Sequence, residues 1–186
     1  MDVALLDRAR RGYEVALEAD RSNVSYALSL GRLDLRAGQI AQAEGHLKNA
    51  VALAPNDAFV WTELARLAQL RREPEAKAAE YLKLSWLTGP YELSSLIARP
   101  KVALSYWDEL SPDLRERTGA DIRRMWDDKD LRWYLRPLYL SLSYEERARF
   151  LDAGFSHQAE RRAFLRQVLW KLHLKKELQR YDRRNP

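Results

Sequence analysis

A 34-residue period runs through the first half of this chain, and no other feature restricts its fold so tightly. Tyr13, Leu47 and Tyr81 stand in register at that spacing, as do Ala16, Ala50 and Leu84. Leu30 matches Leu64 and Arg32 matches Arg66 at the same interval. Between these marks apolar residues recur at three- and four-residue steps, and strand-like alternation is absent, so the repeat is helical. A helical unit of this size cannot bury its own apolar face and must stack on its neighbours. Helices are expected near 2–19, 23–37, 40–53, 57–71 and 74–87, then near 91–98, 101–109, 112–127, 130–141, 144–153 and 157–182. Ser111-Pro112 reads as an N-cap with a first-turn proline, and Ser143 with Glu146 as a capping box. Pro137 should kink or split its helix, Gly154 should stop one, and Gly89-Pro90 is the strongest break in the chain.

The unit YALSLGRLDLRAGQIAQAEGHLKNAVALAPND carries the pattern best. Leu30-Gly31 supplies a large-small pair, Gly38 turns the chain between two helices, and Ala43, Leu47 and Ala50 line the second helix's inner face. The next unit has Trp61, Leu64-Ala65 and Ala68, then Tyr81 and Leu84. With its helical 34-residue period, this stretch resembles the tetratricopeptide repeat family. It departs from that pattern at Lys77, where a small residue is expected, and at Asp34, where an aromatic is expected. Residues 2–19 match only the second helix of an earlier unit, and the apolar Val3, Leu5, Leu6, Val15 and Leu17 favour further chain upstream. The resemblance implies an all-α fold: a TPR helical-hairpin solenoid of about two and a half repeats, closed by a C-terminal helical region. The expected division is 1–89 for the solenoid, 90–155 for a helical extension and 156–186 for a basic C-terminal helix and tail. The segment LTGPYELSSLIARPKVALSYWDELSPDLRERTGADIRRMW is loosely similar to regions following such repeats in bacterial proteins linked to exopolysaccharide or O-antigen production.

Composition removes several function classes. Hydrophobic residues make up 46% of the 186, enough for a sizeable core, and there is no Cys for disulfides, thiolate metal sites or a thiol nucleophile. A Cys-free chain fits a reducing cytoplasm, and a periplasmic one if it is part of a membrane-anchored protein. No apolar run is long enough to span a membrane. The net charge of +5 is concentrated at one end: residues 160–186 hold nine Lys/Arg against Glu160, Glu177 and Asp182, so the remainder is close to neutral. Nucleic acid is a disfavoured partner on that distribution, although the basic terminal helix keeps a nucleic-acid or anionic-surface binder as the alternative reading.

Chemistry finds no foothold. His46, His157 and His173 fall in different helices without metal-ligand spacing, and His46, beside Leu47, is expected to face solvent. Phosphate-cradling glycine loops and nucleophile elbows are missing. The pairs Asp108-Glu109, Asp127-Asp128 and Glu145-Glu146 are adjacent within helices and therefore diverge. No catalytic residue, metal ligand or cofactor site is expected.

Binding is another matter. In the family that the sequence resembles, the first helix of each unit lines a groove for a peptide or partner helix. The observed register puts Ser25, Leu28, Ser29, Arg32 and Arg36 there from one unit, and Phe59, Thr62, Glu63, Arg66 and Gln69 from the next. Arg32 and Arg66 either form a ladder for a partner's carboxylates or are solvated or paired with Glu63; both readings stand on sequence alone. Leu28 sits where co-chaperones of the family need a basic residue. The last helix carries one stripe of Phe164, Leu165, Val168, Leu169 and Leu172, and a second, nearly opposite, of Trp170, Leu174, Leu178 and Tyr181. The second stripe is either buried in a crevice or a further interface, including a homo-oligomeric one. The expected function is a non-catalytic adaptor or scaffold with a protein partner, in its narrowest version an accessory of bacterial envelope polysaccharide assembly.

Overall fold

The computed structural model describes residues 3–169. Among them every regular element is helical: α1 (Val3–Ala19), α2 (Val24–Ala37), α3 (Ile40–Leu53), α4 (Ala58–Leu70), α5 (Glu75–Thr88), α6 (Leu93–Ser105), a 3-10 turn (Trp107–Glu109), α7 (Pro112–Asp127), α8 (Arg132–Ser141), α9 (Tyr144–Gly154) and α10 (Gln158–Leu169). The fold is all-α, with a helical-repeat solenoid at its start. Two compact units divide the chain, Met1–Val102 and Ala103–Pro186.

In the first unit local chemistry repeats with the period. Asn23 caps α2 by accepting from the Tyr26 N–H, and Asp57, one repeat later, caps α4 by accepting from Phe59 and Val60. Gly38 ends α2 at φ 74°, where the Gln39 N–H reaches back 2.8 Å to the Asp34 carbonyl. Arg72 holds the same left-handed position one repeat on, at φ 53°, with Glu73 N–H bonding the Ala68 carbonyl at 3.0 Å. The large-small pair packs as expected: Gly31 is buried, and a Cβ there would lie 2.7 Å from Leu47 Cγ. Leu35, Ala43, Leu47, Leu64 and Leu67 form one core cluster, and Ala27, Ala50 and Val60 another.

The second hairpin corrects the register. Two residues separate α2 from α3, but four separate α4 from α5. The extra length shifts the second helix's inner face by one position. Ala78, Leu82 and Ser85 are fully buried where Ala43, Leu47 and Ala50 are in the preceding unit, in place of Lys77, Tyr81 and Leu84. Lys77 is exposed and pairs with Glu73 at 2.9 Å, so the missing small residue at that position is no defect. Tyr81 stacks instead on Trp61, with ring centroids 6.0 Å apart.

Two prolines do not break helices where sequence expected a break. The helices expected at 91–98 and 101–109 are one helix, α6, running through Pro100 and followed by the 3-10 turn. Arg99, next to that proline, is completely buried and donates to the carbonyls of Ser85 (3.1 Å), Gly89 (3.0 Å) and Pro90 (2.9 Å). This cation satisfies the carbonyl-rich end of α5, stacks over Trp86 and pins α6 beside its proline. Pro137 likewise sits inside an unsplit α8. Its ring removes the bond to the Trp133 carbonyl, and Trp133 is 83% exposed, so water can take that place.

The second unit is organised around aromatic rings. Phe164 lies within 5.0–5.7 Å, centroid to centroid, of Phe155, Phe150, Tyr139 and Trp126. Ser111 and Ser143 cap α7 and α9, the latter with the expected Glu146 box. Gly154 ends α9, but not through a left-handed turn. It is needed because a Cβ there would collide with Ile122 of α7, just as one at Gly119 would collide with the Ala153 carbonyl. The first stripe of the last helix is buried at Phe164, Leu165 and Val168. Trp170, Leu174, Leu178 and Tyr181 lie outside the described residues, as do Leu172 and His173.

Candidate functional site

Arg32 on α2 and Glu63 and Arg66 on α4 converge on one point. Glu63 is only 3% exposed, with Arg32 Nε 3.6 Å from one carboxylate oxygen and Arg66 Nη1 3.4 Å from the other. The Arg32 guanidinium also lies over the Phe59 ring, 4.9 Å from its centroid. Burial pushes the Glu63 carboxyl above its ordinary pKa, against the downward pull of Arg66, Arg32 and Arg36. The two arginines that share the repeat's register are thus bridged by an internal carboxylate rather than left as a bare ladder. Three cations surround one anion, so the face keeps a surplus of positive charge.

The other candidates divide into surface and core. Ser25 and Arg36 are exposed, and Ser29, Phe59 and Gln69 are half-buried. Leu28 is half-buried and packs against both core clusters, so it stiffens the face from behind. Thr62 does not face a groove at all. Its hydroxyl is buried, donating to the Ala58 carbonyl at 3.1 Å and bonding the Ser85 hydroxyl of α5 at 2.8 Å. Placing it among the groove residues followed from helical spacing, which cannot tell the two flanks of a half-buried helix apart.

A second polar centre went unread in the sequence. Asp34 is completely buried, with His46 Nδ1 of α3 at 2.7 Å on one carboxylate oxygen and Arg10 Nε of α1 at 3.0 Å on the other. His46 is therefore not a solvent-facing histidine: its ring ties α3 to α2. Arg10 also pairs with Glu14 at 3.4 Å. The missing aromatic at Asp34 is replaced by a polar tie joining three helices, an ion pair to Arg10 and a hydrogen bond to His46, which accounts for that departure from the repeat pattern. A shallow cleft of about 330 Å³ beside it is lined by Glu14, Glu18, Arg21 and His46 among others. No nucleophile stands against the His46–Asp34 pair in these contacts, so the pair reads as structure.

Among the described residues no group of three or more His, Asp or Glu side chains could hold a metal ion. No described helix is long and apolar enough to cross a membrane.

Residues 24–67 match the model of the family described as tetratricopeptide repeat, a span that covers α2, α3 and most of α4 and holds the Arg32–Glu63–Arg66 cluster. No curated protein matches the chain. Tetratricopeptide repeats are interaction modules, typically without catalysis, that offer extended surfaces to protein partners.

Proposed function

We propose that this chain, with tetratricopeptide repeat sequence over residues 24–67, is a non-catalytic adaptor whose α2/α4 face receives an acidic segment of a partner protein. The observation that carries this reading is the charge surplus around Glu63. Arg32 and Arg66 are held in place by that carboxylate yet remain more than a third exposed, and the exposed Arg36 acts on Glu63 through space, without an ion-pair contact among the described residues. Cations fixed by a buried anion lose less rotamer freedom on meeting a partner's carboxylate than free ones would. Ser25, Ser29, Phe59 and Gln69 would complete the face, with Leu28 and Glu63 supporting it from within. Within this reading residues 1–89 carry the repeat, 90–155 form a further helical region and 156–186 supply a basic end. An accessory role in envelope polysaccharide assembly rests on the loose likeness of one segment and gains nothing from the comparisons. The alternative of a nucleic-acid or anionic-surface binder, and that of a homo-oligomer through the terminal helix, both fall mainly on residues 170–186, outside the described part.

Reversing both Arg32 and Arg66 would strand Glu63 among negative charges and confound the test with lost stability. The cleaner variant is Arg36→Glu with Arg66→Gln. Immobilised wild-type chain should retain partner proteins from a lysate of its source cells that this variant fails to retain, with far-UV circular dichroism unchanged. Identical retention by both proteins would overturn the reading.

A further inference from the structure

The second unit holds a groove that owes nothing to the repeat. It lies between α8 and α10, encloses about 810 Å³ and is lined by Lys129, Arg132, Arg136 and Arg166, with Trp133 and Val168 among its apolar walls. That volume falls within the range of ligand-binding clefts. Helical spacing builds it: Arg132, Trp133 and Arg136 share one side of α8, while Ala163, Arg166 and Gln167 share one side of α10. Trp133 is 83% exposed, the most exposed large apolar side chain of the described residues. A tryptophan left in water beside arginines is the composition of a binding hot spot, not of an idle surface.

The charges are as uneven as the exposure. No carboxylate is among the described residues that line the groove. Arg132 is fixed in place, donating from Nε to the Trp126 carbonyl at 2.6 Å while its guanidinium lies over the Trp126 ring. Lys129, Arg136 and Arg166 are exposed and have no acidic partner among the described residues. The chain's own last residues do not complement this groove: residues 170–186 carry six Lys/Arg against Glu177 and Asp182. Four cations around one aromatic-walled cavity require an anionic occupant with an apolar element.

We propose that the groove between α8 and α10 docks a short acidic segment of a partner protein, carboxylates on Arg136, Arg166 and Lys129 and an apolar side chain on Trp133. A nucleic acid fits less well. A phosphate chain needs a basic track running beyond one cavity, whereas these four cations gather at one. Arginine offers paired donors to each carboxylate, and the indole face offers apolar area at small entropy loss. This site is independent of the α2/α4 face, and either can fail without the other.

The full chain is titrated into a short fluorescein-labelled peptide alternating Glu and Leu, with a Gln/Leu peptide and an oligothymidylate of equal charge as comparators. The Glu/Leu peptide should bind at physiological salt, and the Gln/Leu peptide about tenfold more weakly or worse. Arg136→Glu with Arg166→Glu should weaken the acidic peptide by about tenfold or more, and Trp133→Ala by a few-fold. Lys83→Glu, at an exposed position of α5 in the first unit, should change nothing. The milder Arg136→Gln/Arg166→Gln pair, with circular dichroism, guards against a folding artefact. Equal binding of the two peptides, indifference to the Arg136/Arg166 variants, or a tighter and steeply salt-dependent oligothymidylate complex would each overturn the proposal.

Discussion

The two compact units bring helices together by different chemistry. In the first, apolar contacts rest mainly on Ala and Leu, with Val60, Trp86 and the Trp61–Tyr81 stack beside them, and charge fills what they leave. Asp34 joins α1, α2 and α3, and Glu63 joins α2 to α4. The second unit instead closes on rings, with Phe164 at the centre of four aromatic neighbours and Gly119 and Gly154 letting α7 and α9 approach closely. A repeat must present a similar face to each neighbour, so small residues and substitutable polar ties suit it. A unit made once can be filled with irregular large side chains that fit nowhere else.

The sharpest way to break this contrast is Phe164→Ala. Phe164 is fully buried, and its loss should destabilise by about 3–5 kcal/mol, read as faster amide exchange across α7–α10. Protection in α2–α5 should hardly change. A loss below about 1 kcal/mol would mean that the ring cluster does not organise the second unit.

A smaller effect separates two glycines. An alanine at Gly119 meets the backbone oxygen of Ala153, which cannot move without shifting α9, whereas one at Gly31 meets the side chain of Leu47. Gly119→Ala should lower stability by about 1–3 kcal/mol. Gly31→Ala should cost less, because Leu47 can adjust and alanine favours helix by about 1 kcal/mol. Thermal melting of the two variants decides the order, and a reversed order would break the account of close approach in the second unit.

The smallest effect concerns Glu63, and its sign matters more than its size. Because burial holds its pKa above the ordinary value, the folded chain keeps that proton to higher pH than the unfolded chain does. Stability from this group is fully present below the ordinary Glu value and is lost as pH rises through the raised one. Glu63→Gln should therefore match the wild type in acid and gain on it towards neutrality, when melting is followed across that window. A variant that falls behind as pH rises would show that the arginines outweigh the burial.

Much of the architecture could be read from residue spacing, because helices, caps and a repeat leave periodic marks. Ser111, Ser143 and Gly38 announced their roles through local chemistry. The register of α5 was hidden because a net offset of one residue before it disturbs the period without erasing it, leaving Lys77 as the trace. Pro100 misled because Arg99 beside it binds carbonyls at the end of the preceding helix, while Pro137 leaves α8 unsplit. The site was half legible. Spacing put Arg32 and Arg66 on one face, but only folding brought Glu63 between them and turned Thr62 inward. Nothing in the sequence joined Arg132 and Arg136 to Arg166.

Asp34 carries a last consequence, one of inheritance. Its carboxylate has two claimants, Arg10 and His46, and all three sit in different helices. Replacing any one alone leaves the others with a debt of charge in a poorly hydrated place, so the trio can be exchanged for an aromatic packing only through intermediates less fit than either end. The position that marks the repeat by its side chain in other chains is here written as a sentence of three words, and homologous sequences should keep or lose those words together.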